Sequence, residues 1–300
     1  MTTTLSRPTL VRDDRPLGRR SRGRGAGPSA LATVVLLAGA AYALFPVLWV
    51  LAASTKSADE LFSTFTFAPS THLFSNISGL FAYRNGLFGR WAFNTLIYAA
   101  GGAVASTLVS AMAGYGLAKY EFRGKKLFFS SILAGVLLPA VVLAVPQYLL
   151  FAKLGLTDTY WAVLLPSVLT PYGIYLARIY AGAAIPTEMI EAGRIDGADD
   201  IRIFASIGLP MMVPGLVTLF LFQFVGIWNN YLLPYIMLGN DHLFPITVGL
   251  STLMNQGASQ PAMYTSVITA ALLSIIPLIA LFMVLQKYWR MDLSSGAVKS

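Results

Sequence analysis

Glu191-Ala-Gly-Arg-Ile-Asp-Gly-Ala-Asp-Asp-Ile-Arg-Ile-Phe-Ala-Ser-Ile-Gly-Leu-Pro210 is the one charge-dense interior stretch of a chain that is otherwise mostly apolar, and it lies between two long apolar runs. Its residues spell a short helix, a tight turn and a second helix. Thr187 is placed to cap the first helix, and Glu188 and Glu191 fall in its opening turns, where carboxylates suit the positive end of the dipole. Ala192 and Gly193 give that helix a slim flank. Gly197 stands where the helix must stop, because glycine takes the left-handed conformation without a steric cost. Asp196 and Asp199 flank the turn and can cap the second helix. Ile201, Phe204 and Ile207, three apart, predict one apolar side on that second helix. Spacing alone therefore gives a helical hairpin lying along a membrane surface.

The surrounding composition supplies the membrane. Apolar residues make up 56% of the 300, charged residues 11%, and the mean hydropathy is +0.66. A soluble domain carries about a quarter charged residues. Cysteine is absent, which removes disulfides, thiol catalysis and cysteine metal sites. The net charge of +8 is unevenly spread: seven arginines lie in residues 1–28 among Gly, Pro and Ser. No aromatic residue is interleaved with them to stack on bases. This stretch reads as a disordered basic cytoplasmic tail near anionic lipid, with no nucleic-acid partner. It also imitates a signal peptide, with Arg19-Arg20 hinting at a twin-arginine signal. More apolar spans follow in place of a soluble domain, so residues 31–53 read as a retained first helix.

Six segments are long and apolar enough to span a bilayer: 31–53, 91–117, 127–151, 160–182, 210–237 and 262–286. An even number puts both termini on one side. Lys and Arg choose the side: 17 fall with the termini and the Glu191 stretch, and 4 (Lys56, Arg84, Arg90, Lys153) fall opposite. Without the tail the ratio is still 10 to 4. The expectation is an all-α polytopic membrane protein of six transmembrane helices, with N- and C-termini and the 187–210 loop cytoplasmic. Residues 54–90 form the longest outer loop, a lid or docking surface, and the outer loops 152–159 and 238–261 are expected to be small. No internal repeat of the secondary-transporter kind is present.

Glu191-Ala-x-x-x-Asp-Gly-Ala, followed by Phe204 and Leu209-Pro210, resembles the EAA loop of the membrane subunits of binding-protein-dependent ABC importers. The usual third residue of that motif is Ala, and here it is Gly193. Phe93-Asn94-Thr95 at the opening of the second span is similar to the carbohydrate branch of the family. So are Gly114-Tyr-Gly-Leu-Ala-Lys-Tyr-Glu-Phe-Arg-Gly124, then Leu138-Pro139 with Pro146, and Gly155-Leu156 with Thr159. Gly296-Ala-Val-Lys299 resembles the tail of maltose-type six-span permeases, with Ser300 in place of the common final Gly. The resemblance covers residues 30–300 and implies a type I ABC importer permease fold for 29–300. It implies that the Glu191 helix is a coupling helix docking into an ATPase cleft through Glu191, Ala192, Gly193, Asp196, Gly197 and Ala198. The implied partners are a second homologous permease, two ABC ATPase subunits, an extracytoplasmic sugar-binding protein and membrane lipid. The implied setting is a bacterial cell membrane.

The chemistry in the rest of the chain is sparse. No Gly-x-x-x-x-Gly-Lys-Ser/Thr occurs, so no phosphate-binding loop is present; the only Gly-Lys is Gly124-Lys125. No cofactor is expected on this chain, ATP and Mg being used by the partner ATPase subunits. His72 and His242 both fall in outer loops, so no metal site and no catalytic pair can be assembled from them. Gly257-Ala-Ser259 faintly resembles the serine of an intramembrane protease, but it falls in a polar loop. Ionisable groups are scarce within the spans, which disfavours a proton- or sodium-driven stand-alone carrier. Buried Asn and Gln bind sugar hydroxyls well, and indole or phenol rings can stack on a sugar face. Asn94, Gln223, Trp228, Asn229, Asn230 and Tyr231 are therefore candidates to line a translocation pathway. Helix–helix bonding is the competing role, and for Ser106, Thr107 and Ser110 the preferred one. Pro139, Pro146, Pro166, Pro171 and Pro277 can kink or break helices. A glycerol-phosphate or polyol importer would use nearly the same subunit pattern.

Overall fold

A computed structural model of the chain describes residues 30–257, 260 and 262–296. The basic tail 1–28, Ser259 and the closing 297–300 lie outside the described residues. Two compact units divide after Pro46, a proline inside the first helix, α1 (Ala30–Ser54).

Among the described residues every regular element is helical. After α1 come α2 (Ala58–Ser63), α3 (Leu73–Ala82), α4 (Leu87–Leu96) and α5 (Gly102–Lys119). Next are α6 (Lys125–Leu137), α7 (Ala140–Lys153), α8 (Trp161–Val168) and α9 (Pro171–Ala184). The short α10 (Thr187–Ile195) and α11 (Asp200–Ile203) lead into α12 (Leu209–Trp228), α13 (Leu232–Met237), α14 (Ile246–Gly257) and α15 (Ala262–Gly296). π-Helical turns at Ile97–Gly101 and Phe204–Gly208 join α4 to α5 and α11 to α12. The results are two continuous helices, Leu87–Lys119 and Asp200–Trp228.

Among the described residues, five helical segments are long and apolar enough to cross a membrane; α6 and α7 make a sixth only if taken together as one bent span. The expected span 127–151 holds two helices meeting at 105°, one span only if the bent pair is taken together. Leu138 is extended (φ −76°, ψ 123°), as a residue before proline must be, and Pro139 then starts a new direction. The expected span 160–182 is interrupted at Leu169-Thr170, and 210–237 at Asn229-Asn230-Tyr231. The outer stretch 238–261 was expected to be a small loop. It instead carries α14, whose Ile246, Val248 and Leu253 are buried. The stretch 54–90, expected to be the longest outer loop, is likewise built of helices, with Ser57 forming a capping box with Glu60.

Burial runs opposite to that of a soluble protein. Leu108, Met112, Phe222 and Ile276 are exposed, whereas Ser106, Ser110 and Thr269 are fully buried. An apolar exterior around a polar-dotted interior suits a hydrocarbon solvent, where small and polar residues hold helices together. The packed centre is α5 against α9, with α12 across both. A Cβ on Gly114 would sit 2.5 Å from the Arg178 backbone nitrogen, so a bare glycine there sets how closely α5 and α9 approach.

The far end of α4 is joined to the chain some 150 residues later. Trp91 Nε1 donates to Asp241 O (2.8 Å), and Asn94 Nδ2 donates to His242 O (2.8 Å) and Phe244 O (3.1 Å). Tyr98 donates to Leu243 O (2.9 Å), and Thr95 Oγ1 accepts from Ile246 N (2.7 Å). Side chains of one helical stretch thus grip the segment 241–246 by its main chain.

Candidate functional site

The 187–210 segment folds as two helices around a turn. Pro186 holds the N-cap position of α10, and Thr187 is its first helical residue with no side-chain cap; the expected cap at Thr187 is displaced by one residue. At the other end Gly197 takes φ +80°. Ala198 N bonds Gly193 O, and Gly197 N bonds Arg194 O, each at 3.0 Å. These are the two bonds of a Schellman motif, so the turn closes on its own main chain. Asp199 caps α11 by accepting from Arg202 N at 2.7 Å. Asp196 serves as the C-cap of α10 through its backbone and does not cap the second helix.

The hairpin's inner face is apolar and well anchored. Ile190, Gly193 and Ile203 are buried. A Cβ on Gly193 would lie 3.2 Å from both Ile203 Cγ1 and Ile207 Cδ1, so the slim flank of α10 is used within the hairpin itself. The predicted apolar side at Ile201, Phe204 and Ile207 is corrected. Ile201 is 79% exposed, and Ile203, off the expected stripe, is buried in its place. Behind this face Tyr115 contacts Phe204 (ring centroids 5.1 Å apart) and Tyr120 (5.6 Å). Lys119, at the end of α5, donates to Ile185 O just before α10. Arg194 bonds Asp200 Oδ1 at 3.3 Å and lies over the Tyr120 ring. Its pKa is held above the ordinary arginine value, first by that hydrogen bond. Burial, then the neighbouring Tyr115 and Asp200, pushes the Tyr120 phenol up.

The outer face is open. Glu191, Ala192, Asp196 and Gly197 are exposed, and Ala198 is half-buried. Ile195 is 86% exposed and Ile201 shares that openness. The exposed face of this knuckle thus carries isolated apolar side chains among carboxylates.

A second candidate is a cavity of about 250 Å³ lined by residues that include Gln147, Ser167, Thr170, Gln223 and Asn230. It lies where three helix breaks come together, at Leu138-Pro139, Leu169-Thr170 and Asn229-Tyr231. Thr170 caps α9, accepting from Gly173 N (3.1 Å), and also accepts from Gln223 Nε2 (2.6 Å). A Cβ on Gly173 would meet Thr170 Oγ1, Ser110 Oγ and Gln223 Nε2, all under 3.0 Å, so the glycine lets three polar groups converge. The buried hydroxyls of Ser106, Thr107 and Ser110 have no hydrogen-bond partner. The helix–helix bonding expected of them is not made in this conformation.

Of the predicted pathway residues, Gln223 and Asn230 line this cavity. Trp228 does not: it is 5% exposed and stacks on Phe224 with centroids 5.5 Å apart, within the apolar core. Asn94 does not either, its amide being taken up by His242 O, Phe244 O and, on Oδ1, the Tyr160 hydroxyl at 2.7 Å. Asn229 Nδ2 bonds Val225 O. Tyr231 contacts Ser251 Oγ at 3.2 Å and stacks on Tyr235. Sequence reasoning passed over Thr170, although a threonine before Pro171 is a legible cap-and-first-turn signal.

Comparison with known proteins agrees with this architecture. Residues 106–291 match the model of the family described as binding-protein-dependent transport system inner membrane component. An arabinooligosaccharides transport system permease protein, AraQ, of Halalkalibacterium halodurans is 34% identical, over 86% of this chain and 91% of that one. An sn-glycerol-3-phosphate transport system permease protein, UgpE, of Yersinia enterocolitica is 28% identical, over 85% and 92%. A chain of a bacterial ABC transporter involved in import of the acidic polysaccharide alginate superposes with a TM-score of 0.75 at 26% identity, over 86% of this chain and 95% of that chain. The chain belongs to the inner membrane components of binding-protein-dependent transport systems.

Proposed function

We propose that this chain is the permease subunit of an ATP-driven importer for a sugar or oligosaccharide, in a bacterial plasma membrane. In this reading the termini and the α10–α11 hairpin face the cytoplasm, as the distribution of Lys and Arg favours. The hairpin sits in a cleft of a separate ATPase subunit. A second permease completes the pathway, and an extracytoplasmic binding protein delivers the solute.

The observation that carries the reading is one continuous helix. Asp200–Trp228 runs without interruption for 29 residues from the exposed hairpin to the break beside the cavity. At 1.5 Å per residue that is about 43 Å, a lever with the knuckle at one end and Gln223 near the other. Because the knuckle is closed by its own main chain and packed on Tyr115, a displacement imposed on it passes into α12 instead of being absorbed in the turn. ATPase closure would thus move α12 against α9, where the Gln223–Thr170 bond and the unpartnered hydroxyls meet. Such rigid-body switching around packed elements is how small motions at one site become access changes at another.

The cavity lining also supports a neutral solute. Its polar groups are amides and hydroxyls, and no Lys or Arg is among them; an anionic solute such as glycerol phosphate would draw on cations there. The names of the relatives include both classes, and the uncharged lining favours the sugar.

Glu191→Lys tests the docking. The substitution lies on the exposed face of α10 and should leave membrane insertion intact while sharply reducing recovery of the ATPase with the permease in detergent. Unchanged recovery of the complex would remove the hairpin from the interface.

A further inference from the structure

Beside the hairpin, at the turn between α5 and α6, is a cavity of about 490 Å³ unconnected with the solute path just described. Its lining brings together Lys125, Lys126 and Arg178 with a single carboxylate, Glu121, and two aromatic rings, Phe122 and Phe129. Lys125 is already taken: its Nζ donates to Glu121 Oε1 at 2.7 Å and to Tyr120 O at 2.9 Å. That pair holds the Glu121 carboxyl below the usual carboxylate range. Among the described residues Lys126 and Arg178 have no carboxylate partner. Arg178 is half-buried and positioned, its guanidinium 4.0 Å above the Phe129 ring. Phe129 in turn stacks on Tyr175. A ring face orients a guanidinium without neutralising it.

Phe122, which lines the cavity, is 47% exposed. Leu127 (74%) and Phe128 (53%), next along α6, are exposed apolar side chains outside its lining. Two cations without an ion-pair partner beside an exposed phenyl group, at the end of membrane-spanning helices, match a phosphate with acyl chains attached.

We propose that the α6–α9 cavity binds the phosphodiester headgroup of an anionic phospholipid, with Lys126 and Arg178 on the phosphate oxygens and the exposed Phe122 ring against an acyl chain. A guanidinium fixed on a ring offers two parallel N–H donors to a phosphate, and the lysine adds a point charge. Lys125 bonds the carbonyl of Tyr120, the residue whose ring underlies Arg194 of the hairpin. A lipid seated here would therefore brace the turn on which the knuckle rests.

Native mass spectrometry of the full-length chain, with phosphatidylglycerol, phosphatidylethanolamine and inorganic phosphate added separately, tests the assignment. Phosphatidylglycerol should be retained in preference to phosphatidylethanolamine. Retention should fall about fivefold for each cation removed, in Lys126→Gln and in Lys126→Gln with Arg178→Gln. The single variant alters only an exposed side chain, so it stays informative if the double variant elutes as aggregate. Equal retention of the two lipids, or undiminished retention by the Lys126→Gln protein, would overturn the proposal. Displacement of the lipid by equimolar inorganic phosphate would also overturn it, reassigning the cavity to a free anion. No readout depends on transport, so the outcome is separate from that of the hairpin's docking.

Discussion

The hairpin at one end of the Asp200–Trp228 helix and the cavity near the other are built by opposite means. The hairpin is local: its turn closes with bonds between residues no more than five apart, and its caps lie within the same twenty residues. The cavity is assembled from three breaks spread over more than ninety residues, and on the neighbouring α5 the hydroxyls of Ser106, Thr107 and Ser110 have no partner. Leaving buried hydroxyls unmatched costs about 1–3 kcal/mol each in one conformation. An arrangement with alternative partners in another conformation would recover that. Under the proposed function, the contrast is between a part that transmits a displacement and a part that rearranges when it arrives.

The sharpest way to break this contrast is Gly197→Val. No atom of this chain lies within 4 Å of a Cβ at Gly197, so within the chain the substitution acts only through φ +80°. Forcing a β-branched residue there costs at least about 1–2 kcal/mol and deforms the turn. Solute uptake by membranes should be lost while the protein inserts at parental yield, and Gly197→Asn should retain uptake because asparagine tolerates the left-handed region. Normal uptake by the valine variant would show that the turn need not be rigid.

A milder effect is expected at the other end. Gln223→Leu removes the bond to Thr170 but leaves the Thr170 cap on Gly173 N. The bond within the chain is worth about 1 kcal/mol; a bond from the same amide to solute, of similar worth and lost with it, should raise the apparent KM roughly fivefold with the maximal rate kept. A collapse of the maximal rate would mean that the cavity bond belongs to the moving lever and not to the solute site.

The smallest effect should come from Arg194→Gln. Its partner Asp200 is 3.3 Å away, and the two side chains are 51% and 60% exposed, the kind of pair that adds little to stability. Thermal melting should be unchanged. A clear drop in ATPase recovery without a change in melting would instead place the guanidinium in the docking surface.

Legibility in the sequence divides along the same local–distant line. Gly197 and Asp199 were legible because caps and left-handed glycines act within a few residues. Ile201 was misassigned because the π-turn at Phe204–Gly208 shifts the buried face, and nothing in the spelling marks it. Prolines flagged possible breaks without distinguishing them. Pro146 and Pro166 sit inside continuous helices, whereas Pro139 and Pro171 follow extended residues at true interruptions. The break at Asn229-Asn230-Tyr231 has neither proline nor glycine. Trp228 and Asn94 were placed in the pathway on chemistry alone. Whether an amide faces a solute or a carbonyl 150 residues away depends on packing that no short window contains.

The grip of Trp91, Asn94, Thr95 and Tyr98 on residues 241–246 has a further consequence, because every bond in it ends on a peptide group. Changing the imidazole at His242, which is mostly exposed, leaves each acceptor in place. Inserting a single residue would carry all of them out of reach together. That length of chain is therefore tolerant of a new side chain at His242 and intolerant of insertion or deletion.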